Sequence, residues 1–494
     1  MDYWLGLDCG GTFIKAGLYD RQGAELGIAR RNLEIISPQP GWAEREMPAL
    51  WHTAAEVIRE LLTRNQIAAG DIQAVGISAQ GKGAFLLDKQ GLPLGNAMLS
   101  SDQRALTLVQ EWQKQGVPQA LYPQTRQTLW TGHPVSLLRW VRQHQPERYR
   151  QIGSVLMAHD YLRYCLTGEL ACEESNISES NLYQMAAGRY DPALAQLLGI
   201  DDIMPALPPI VGSAEIAGRV NAAAATGLLA GTPVVGGLFD VVSTALCAGL
   251  RDETRLNAVM GTWSVTSGIT DKITESFDYP FVYGRHAEAD QYIVHEASPT
   301  SAANLEWFCR QWGLQDYAQL NDWVATLPKA DSSLLFVPFL YGSNAGLGLS
   351  ASFHGMQAFH QREHLVQAIY EGVVFCHMTH LNHMRQRFPA ATALRVTGGP
   401  AKSAPWMQMF ADVSGLPVEL PQVEETGCLG AAMAAMVGSG VFSDFTAAQR
   451  ALAPRIERVL PDTAAAEAYG KKYQRYQALV ATLQTLNQPG QEAL

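Results

Sequence analysis

Two turns of one type sit at matched places in the chain, Gly10-Gly11-Thr12 and Gly261-Thr262, each between short apolar runs of strand character. Glycine lets a backbone approach phosphate oxygens closely, and a threonine hydroxyl adds a donor, so a pair of such turns suits a nucleoside triphosphate. Each turn alone is by default only a hairpin connection. A third glycine pair, Gly398-Gly399, leads toward a helical run starting near Ser403, and the free amides of a helix N-terminus suit a phosphate or a ribose edge. The plain alternative there is helix-entry chemistry. No GxxxxGK[ST] loop occurs in the chain, so this is not a Walker site.

Two aspartates stand where such turns need carboxylates. Asp8 closes the first apolar run beside the glycine turn, and Asp240 follows Gly236-Gly237 as the only charged residue between Arg219 and Arg251. Phosphoryl transfer to an alcohol needs oxygen ligands for a metal beside the phosphates and a carboxylate to take the alcohol's proton. Asp8 suits the Mg²⁺ role and Asp240 the general base, with both as metal candidates. For either residue, strand-end capping or an ion pair is the structural alternative.

The elements that must position these groups alternate between sheet and helix. The stretch YWLGLDCGGTFIKAGLYDRQGAELGIA reads as a strand ending at Asp8, the turn, a second strand through Leu18 and a third after Gly23. Residues 47–64 place Leu50, Ala54, Val57, Ile58 and Leu61 at helical spacing, and Ala74 to Ala79 returns to strand. RLNAVMGTWSVTSGIT repeats the strand–turn–strand device, which suggests a duplicated α/β fold with its boundary near residues 245–255. ALRVTGGPAKSAPWMQMFADVSG reads as strand, loop and a helix over about Ser403 to Val413, with Gly415 as C-cap. The tail at residues 471–488 reads as an amphipathic helix with a short disordered end.

With 494 residues, two large domains are expected. A net charge of −11 repels a phosphate backbone, so nucleic-acid binding is not expected. The seven cysteines are scattered and lack a CxxC pair, arguing against a disulfide framework or zinc site. Together with an N-terminal region that opens directly into a strand pattern, this points to a reducing cytoplasm. The apolar stretch from Arg219 to Arg251 is broken by Gly231, Pro233, Gly236 and Gly237. It is read as strand, turn and buried helix, with no membrane span.

The ordered motifs LGLDCGGTFIKAGLYD, PGWAERE, GISAQGKGAFLLD, GTPVVGGLFD, VMGTWSV, AIYEGVVF, VTGGPAKSAPWMQMFADVSGLPVE and ETGCLGAA make the chain resemble the FGGY carbohydrate kinases from residue 4 to about 475. That resemblance implies two actin-like (ribonuclease H-like) ATPase domains, an N-terminal sugar- and phosphate-binding domain at 1–248 and a C-terminal nucleotide-binding domain at 249–494. ATP, Mg²⁺ and sugar would meet in an interdomain cleft. It further implies Gly11, Thr12 and Lys15 near the phosphates in the first turn, Gly261 and Thr262 in the second, and Gly398, Gly399 and Ser403 beside the adenosine. Asp8 would hold Mg²⁺ and Asp240 would be the base. Relatives of this kind are often dimers, so a homodimer is implied as well.

Substrate choice falls where the sequence departs from the family pattern. Gln80-Gly81-Lys82 replaces the Gln-Arg-Glu or Gln-Met-His of glycerol and D-xylulose kinases, and Ser100-Ser101-Asp102-Gln103-Arg104 keeps the Asp and Arg of WxDxR without its Trp. Lys82 is expected beside Gln80 and Asp102, donating to hydroxyls or a carbonyl of a ketose; the resemblance implies a ketopentose substrate, L-xylulose. A solvated strand-end lysine is the alternative. The rival substrates are 3-keto-L-gulonate, L-ribulose, D-xylulose and glycerol, and the rival class is an actin-like ATPase switch that transfers nothing. His159 and His295 read as core histidines, and His354, His360 and His364 lack metal spacing.

Overall fold

The computed structural model describes residues 1–274, 280–330, 332–343, 345–346 and 349–486, with the backbone alone of Ala223. Two compact units result. The first comprises Met1–Arg251, Thr270–Val294 and Val423–Ala453, and the second Asp252–Ile269, His295–Gln422 and the chain from Pro454 onward.

The first unit is built on seven strands: β1 (Tyr3–Cys9), β2 (Phe13–Tyr19), β3 (Glu25–Asn32), β4 (Ile72–Ala79), β5 (Ile216–Arg219), β6 (Pro233–Val235) and β7 (Leu238–Phe239). They are ordered β5-β6-β4-β1-β2-β3, with β7 also pairing β4. β1 and β2 form the expected antiparallel hairpin, whereas β4 runs parallel to β1, β6 and β7. β1 extends one residue past the expected end at Asp8, to Cys9.

The strands form because apolar residues fill both faces: Leu5, Leu7, Val75 and Ile77 are all at most 1% exposed. Burying one such side chain stabilises by roughly 1.5–3 kcal/mol. The helix Met47–Arg64 buries the predicted Leu50, Ala54, Val57, Ile58 and Leu61 on β2 and β3. The small-residue helix Thr426–Gly438 packs on β1 and β4. The stretch after Arg219 is strand, turn and the buried helix Asp240–Cys247, as its glycines and proline suggest. Among the described residues no helix is long and apolar enough to cross a membrane. All seven cysteines are free thiols.

The second unit repeats the plan. β8 (Arg255–Met260) and β9 (Ser264–Thr270) make a hairpin around Gly261-Thr262, and β8 pairs in parallel with β10 (Ala393–Thr397). β10 continues in parallel to β11 (Val418–Pro421), which β12 (Ile456–Val459) meets antiparallel.

The long helix Arg362–Arg387 is tied to the helix Thr463–Leu486 by a buried ion pair, Lys472 Nζ to Glu371 at 2.5 Å. Burial pushes the Glu371 carboxyl up while Lys472 opposes it. The helix Ala404–Ser414 ends at Gly415 in the left-handed region, φ +66°, as predicted. It does not start directly from Gly398-Gly399, because a 3₁₀ turn, Gly399–Lys402, intervenes. The expected helical tail is present to Leu486, and its expected disordered end lies outside the described residues.

Candidate active site

Three parallel strands end together in the first unit. Asp8 of β1 stands opposite Ser78 of β4, and Phe239 at the end of β7 stands opposite Ala79. The Gln80 amide donates to the Cys9 carbonyl at 3.0 Å, continuing the pairing past β4. Asp8, Gln80 and Asp240 therefore lie at neighbouring C-terminal strand ends, where open α/β sheets bind their ligands.

Asp8 faces the first turn of the helix Thr426–Gly438. Gly427 leaves room for it, since a methyl there would overlap the Asp8 carboxyl. Burial raises the Asp8 carboxyl to about 6, with Lys15 opposing and Glu425 adding to the rise. Its residue surface still keeps an accessible face, as expected for a carboxylate lining the floor of a site. Lys15 lies opposite Asp8 in the β1–β2 register and donates to Glu425 Oε2 at 2.6 Å. Burial alone would lower the Lys15 ammonium, but the Glu425 bond and charge leave it raised. The Gly11-Thr12 turn is exposed, and the buried Arg45 guanidinium braces it from behind through the Gly11 carbonyl at 2.6 Å.

Asp240 opens the helix Asp240–Cys247 immediately after β7. Burial and the Asp8 charge together raise its carboxyl to about 7, while the Val241 amide and Lys82 oppose. Like Asp8, it is deep yet partly reachable. Next to it, a methyl at Gly81 would overlap the Phe239 ring, so only glycine fits between the two strand ends.

Lys82 adopts φ +62°, a left-handed conformation costing a non-glycine residue roughly 1–2 kcal/mol. Its amide donates to Asn176 Oδ1 at 3.2 Å, and Asn176 in turn meets the buried His159 at 3.2 Å. The expectation set Lys82 beside Gln80 and Asp102. The structure instead pairs its ammonium with the buried Glu179 at 2.6 Å, 5.3 Å from the Phe239 ring centroid.

Asp102 is committed to the protein. Its carboxylate accepts from the Ala43 amide at 2.8 Å, the Arg104 amide at 2.9 Å, and Arg104 Nε and Nη2 at 2.9 and 2.8 Å. Arg104 also donates to Glu44 at 2.6 Å, and its guanidinium lies 3.9 Å from the Trp42 ring centroid and 5.2 Å from that of Trp140. The buried Nη1 of Arg104 has no hydrogen-bond partner among the described residues.

In the second unit, Val259 stands opposite Thr397 in the parallel β8–β10 pair, so two glycine loops leave adjacent strand ends. Gly398 has φ +103°, and a methyl there would overlap the Met260 carbonyl. The Gly261-Thr262 turn and the Gly398-Gly399 loop are thus neighbours, and Thr262, Gly398 and Gly399 are exposed. Ser403 is buried and serves as N-cap of Ala404–Ser414, accepting from the Trp406 amide at 3.4 Å and donating to Asn321 at 2.6 Å.

Buried histidines lie behind the Thr262 turn. His377 meets Ser264 Oγ and Ser301 Oγ, both at 3.0 Å, and His380 meets Ser298 Oγ at 2.8 Å. Burial holds the His377 ring down at about 3. His159 and His295 are buried, as core histidines should be.

Asp8 and Asp240 are the two carboxylates that would hold a divalent cation; among the described residues no cluster of three or more His, Cys, Asp or Glu side chains forms, so phosphate oxygens and water would have to complete the shell. Sequence reasoning missed Glu179, Glu425 and Gly427. The first two are partners of Lys82 and Lys15 across 97 and 410 residues of chain; Glu425 and Gly427 lie within the motif ETGCLGAA, which gave them no role, and Glu179 left no local trace.

Comparisons with known proteins bear on the family and the fold. Residues 3–247 match the N-terminal domain of the FGGY family of carbohydrate kinases and residues 256–439 its C-terminal domain. A protein of Escherichia coli K12 named L-xylulose/3-keto-L-gulonate kinase is 64% identical over 484 residues, spanning 98% of this chain and 97% of that one. A probable L-xylulose kinase of Pasteurella multocida is 61% identical, over 98% of this chain and all of its own. Among solved structures, a kinase titled xyloylose kinase from Brucella ovis superposes with a TM-score of 0.86 at 26% identity, covering 98% of this chain and 100% of that one. Ligand-bound xylulose kinase from Lactobacillus acidophilus reaches 0.89 at 21% identity, over 98% of each chain, which speaks for the fold. Fold and site together define an α/β phosphotransferase. The chain belongs to the FGGY family of carbohydrate kinases.

Proposed function

We propose that this chain transfers the γ-phosphoryl group of ATP to a ketopentose, L-xylulose, at its C5 hydroxyl, giving the 5-phosphate and ADP. The observation that carries the reading is the gathering of Asp8, Gln80 and Asp240 at three parallel strand ends, with the Asp240 carboxyl held near neutral pH. A base titrating close to the working pH both accepts and returns a proton readily. The sugar identity is supported by relatives 64% and 61% identical whose names specify L-xylulose.

In this mechanism the sugar hydroxyl gives its proton to Asp240 as its oxygen bonds to the γ-phosphorus, and the bond from that phosphorus to the β–γ bridging oxygen breaks to release ADP. Asp8, with Asp240 beside it, would hold Mg²⁺, which neutralises charge on the phosphates. The amides of Gly11 and Thr12 would meet phosphate oxygens, with Lys15 contributing charge. Gly261, Thr262, Gly398 and Gly399 would serve the nucleotide, and Ser403 would act by fixing the helix that follows. Gln80 would meet a sugar hydroxyl, and Gly81 would let the strand end pack closely on Phe239 beside the sugar. Arg104, anchored by Asp102, would offer its unpartnered Nη1 to the acceptor pocket. A reducing cytoplasm and a homodimer complete the proposal.

A coupled ADP-release assay over the ketopentoses and 3-keto-L-gulonate, with and without Mg²⁺, tests it. L-xylulose should give the highest kcat/KM and require Mg²⁺. Release that no ketose accelerates would refute the assignment.

A further inference from the structure

We propose that Glu179 is a specificity residue: by holding the Lys82 ammonium in a closed ion pair, it keeps that ammonium from meeting an acidic acceptor and so favours neutral ketoses over ketose acids. This rests on the reading of the chain as a ketose kinase.

Lys82 follows Gln80 and Gly81 directly at the end of β4, and its backbone is pinned by the bond to Asn176. Its ammonium is therefore held close to Phe239, the residue before the base. At 2.6 Å from Glu179 Oε2 it is in full contact with a carboxylate whose side chain has no exposed surface. Glu179 is confined on its far side as well, because a methyl at Gly284 would overlap its carboxylate.

A fully buried carboxylate is expensive to desolvate, and an apolar contact would serve packing as well or better, so its presence calls for an electrostatic role. With the pair closed, the two charges offset each other beside a pocket that already holds Asp8 and Asp240. A neutral ketose enters without competing for the ammonium. An acid ketose must either share Lys82 with Glu179 or bring its carboxylate near other carboxylates, and like charges at such range discriminate strongly.

The test is the ratio of kcat/KM for 3-keto-L-gulonate to that for L-xylulose, measured in wild type, Glu179→Gln, Lys82→Met and the double variant. Freeing the ammonium in Glu179→Gln should raise the ratio by about tenfold or more, and removing it in Lys82→Met should lower the ratio by about tenfold. The double variant should lie between the two, with the Glu179→Gln gain abolished by loss of Lys82. Because each value is a ratio within one preparation, partial loss of folded protein cancels. If Glu179→Gln yields no folded protein, Lys82→Met and the double variant carry the test through the predicted fall and its relief.

Single-variant ratios that stay within about threefold of wild type, or that move in the same direction, overturn the proposal. A wild-type enzyme that phosphorylates neither acceptor refutes the kinase reading itself. Wild-type turnover with an unmoved ratio refutes only the role of Glu179.

Discussion

Replacing Asp240 by Asn should abolish turnover and, at the same time, stabilise the fold. Burial and the neighbouring Asp8 raise this carboxyl from an ordinary 3.8 to about 7. The folded protein therefore binds the Asp240 proton more tightly than the unfolded chain does. Stability tied to that proton is present at low pH and is lost as pH rises from about 4 through 7, after which the loss stays constant. Taken at face value the shift corresponds to about 4 kcal/mol, at roughly 1.4 kcal/mol per pKa unit. The accessible face of the carboxyl and its coupling to Asp8 reduce this to about 1–3 kcal/mol.

Asp240→Asn removes the ionisation and keeps the shape. At about pH 8 the variant should melt about 1–5 °C above wild type, and at about pH 4.5 the two should nearly coincide. Loss of the base should lower kcat by about 10²–10⁴ with KM little changed. Differential scanning calorimetry at the two pH values, beside coupled ADP-release kinetics, measures both effects. A variant that retains kcat within about tenfold, or is less stable than wild type at pH 8, refutes the account of a strained catalytic carboxylate.

Gly427→Ala should push the Asp8 carboxyl out of place and lower kcat/KM by about 10²-fold or more with the far-UV spectrum unchanged; an active variant would show that Asp8 needs no fixed position. Lys472→Met leaves Glu371 buried without its cation and should cost about 3–5 kcal/mol in urea unfolding, whereas a change below about 1 kcal/mol would contradict the buried pair. His377 is held neutral, far below its ordinary 6.5. The unfolded chain then takes up a proton that the folded chain refuses, so stability should fall as pH drops from 6.5 toward 3, by about 1.4 kcal/mol per pH unit for this group. His377→Gln should flatten that slope in urea midpoints between about pH 7 and 5, and an unchanged slope would count against it.

How far these features were legible depends on the range of the interactions that create them. The two hairpins, the Met47–Arg64 helix and the strand-end places of Asp8 and Asp240 follow from apolar alternation and glycine turns within about ten residues. What Lys82 touches does not, because Glu179 comes to it from 97 residues away. The family pattern of the substrate pocket set Lys82 beside Asp102, yet Asp102 is taken up by its own neighbour Arg104 and the Ala43 amide. The helix expected over about Ser403 to Val413 is present at Ala404–Ser414, whereas the 3₁₀ turn Gly399–Lys402 before it carries no apolar period to announce it. Nor does anything local in Thr426–Gly438, apolar all round, announce that it packs on β1 and β4 and supplies the glycine against Asp8.

The most direct test is ³¹P NMR of the purified protein with ATP, Mg²⁺ and L-xylulose. The account predicts loss of the ATP γ-signal with matching growth of ADP and of one new phosphomonoester on the sugar, in equal amounts. ATP consumed to ADP and inorganic phosphate alone, at a rate indifferent to the sugar, would contradict it.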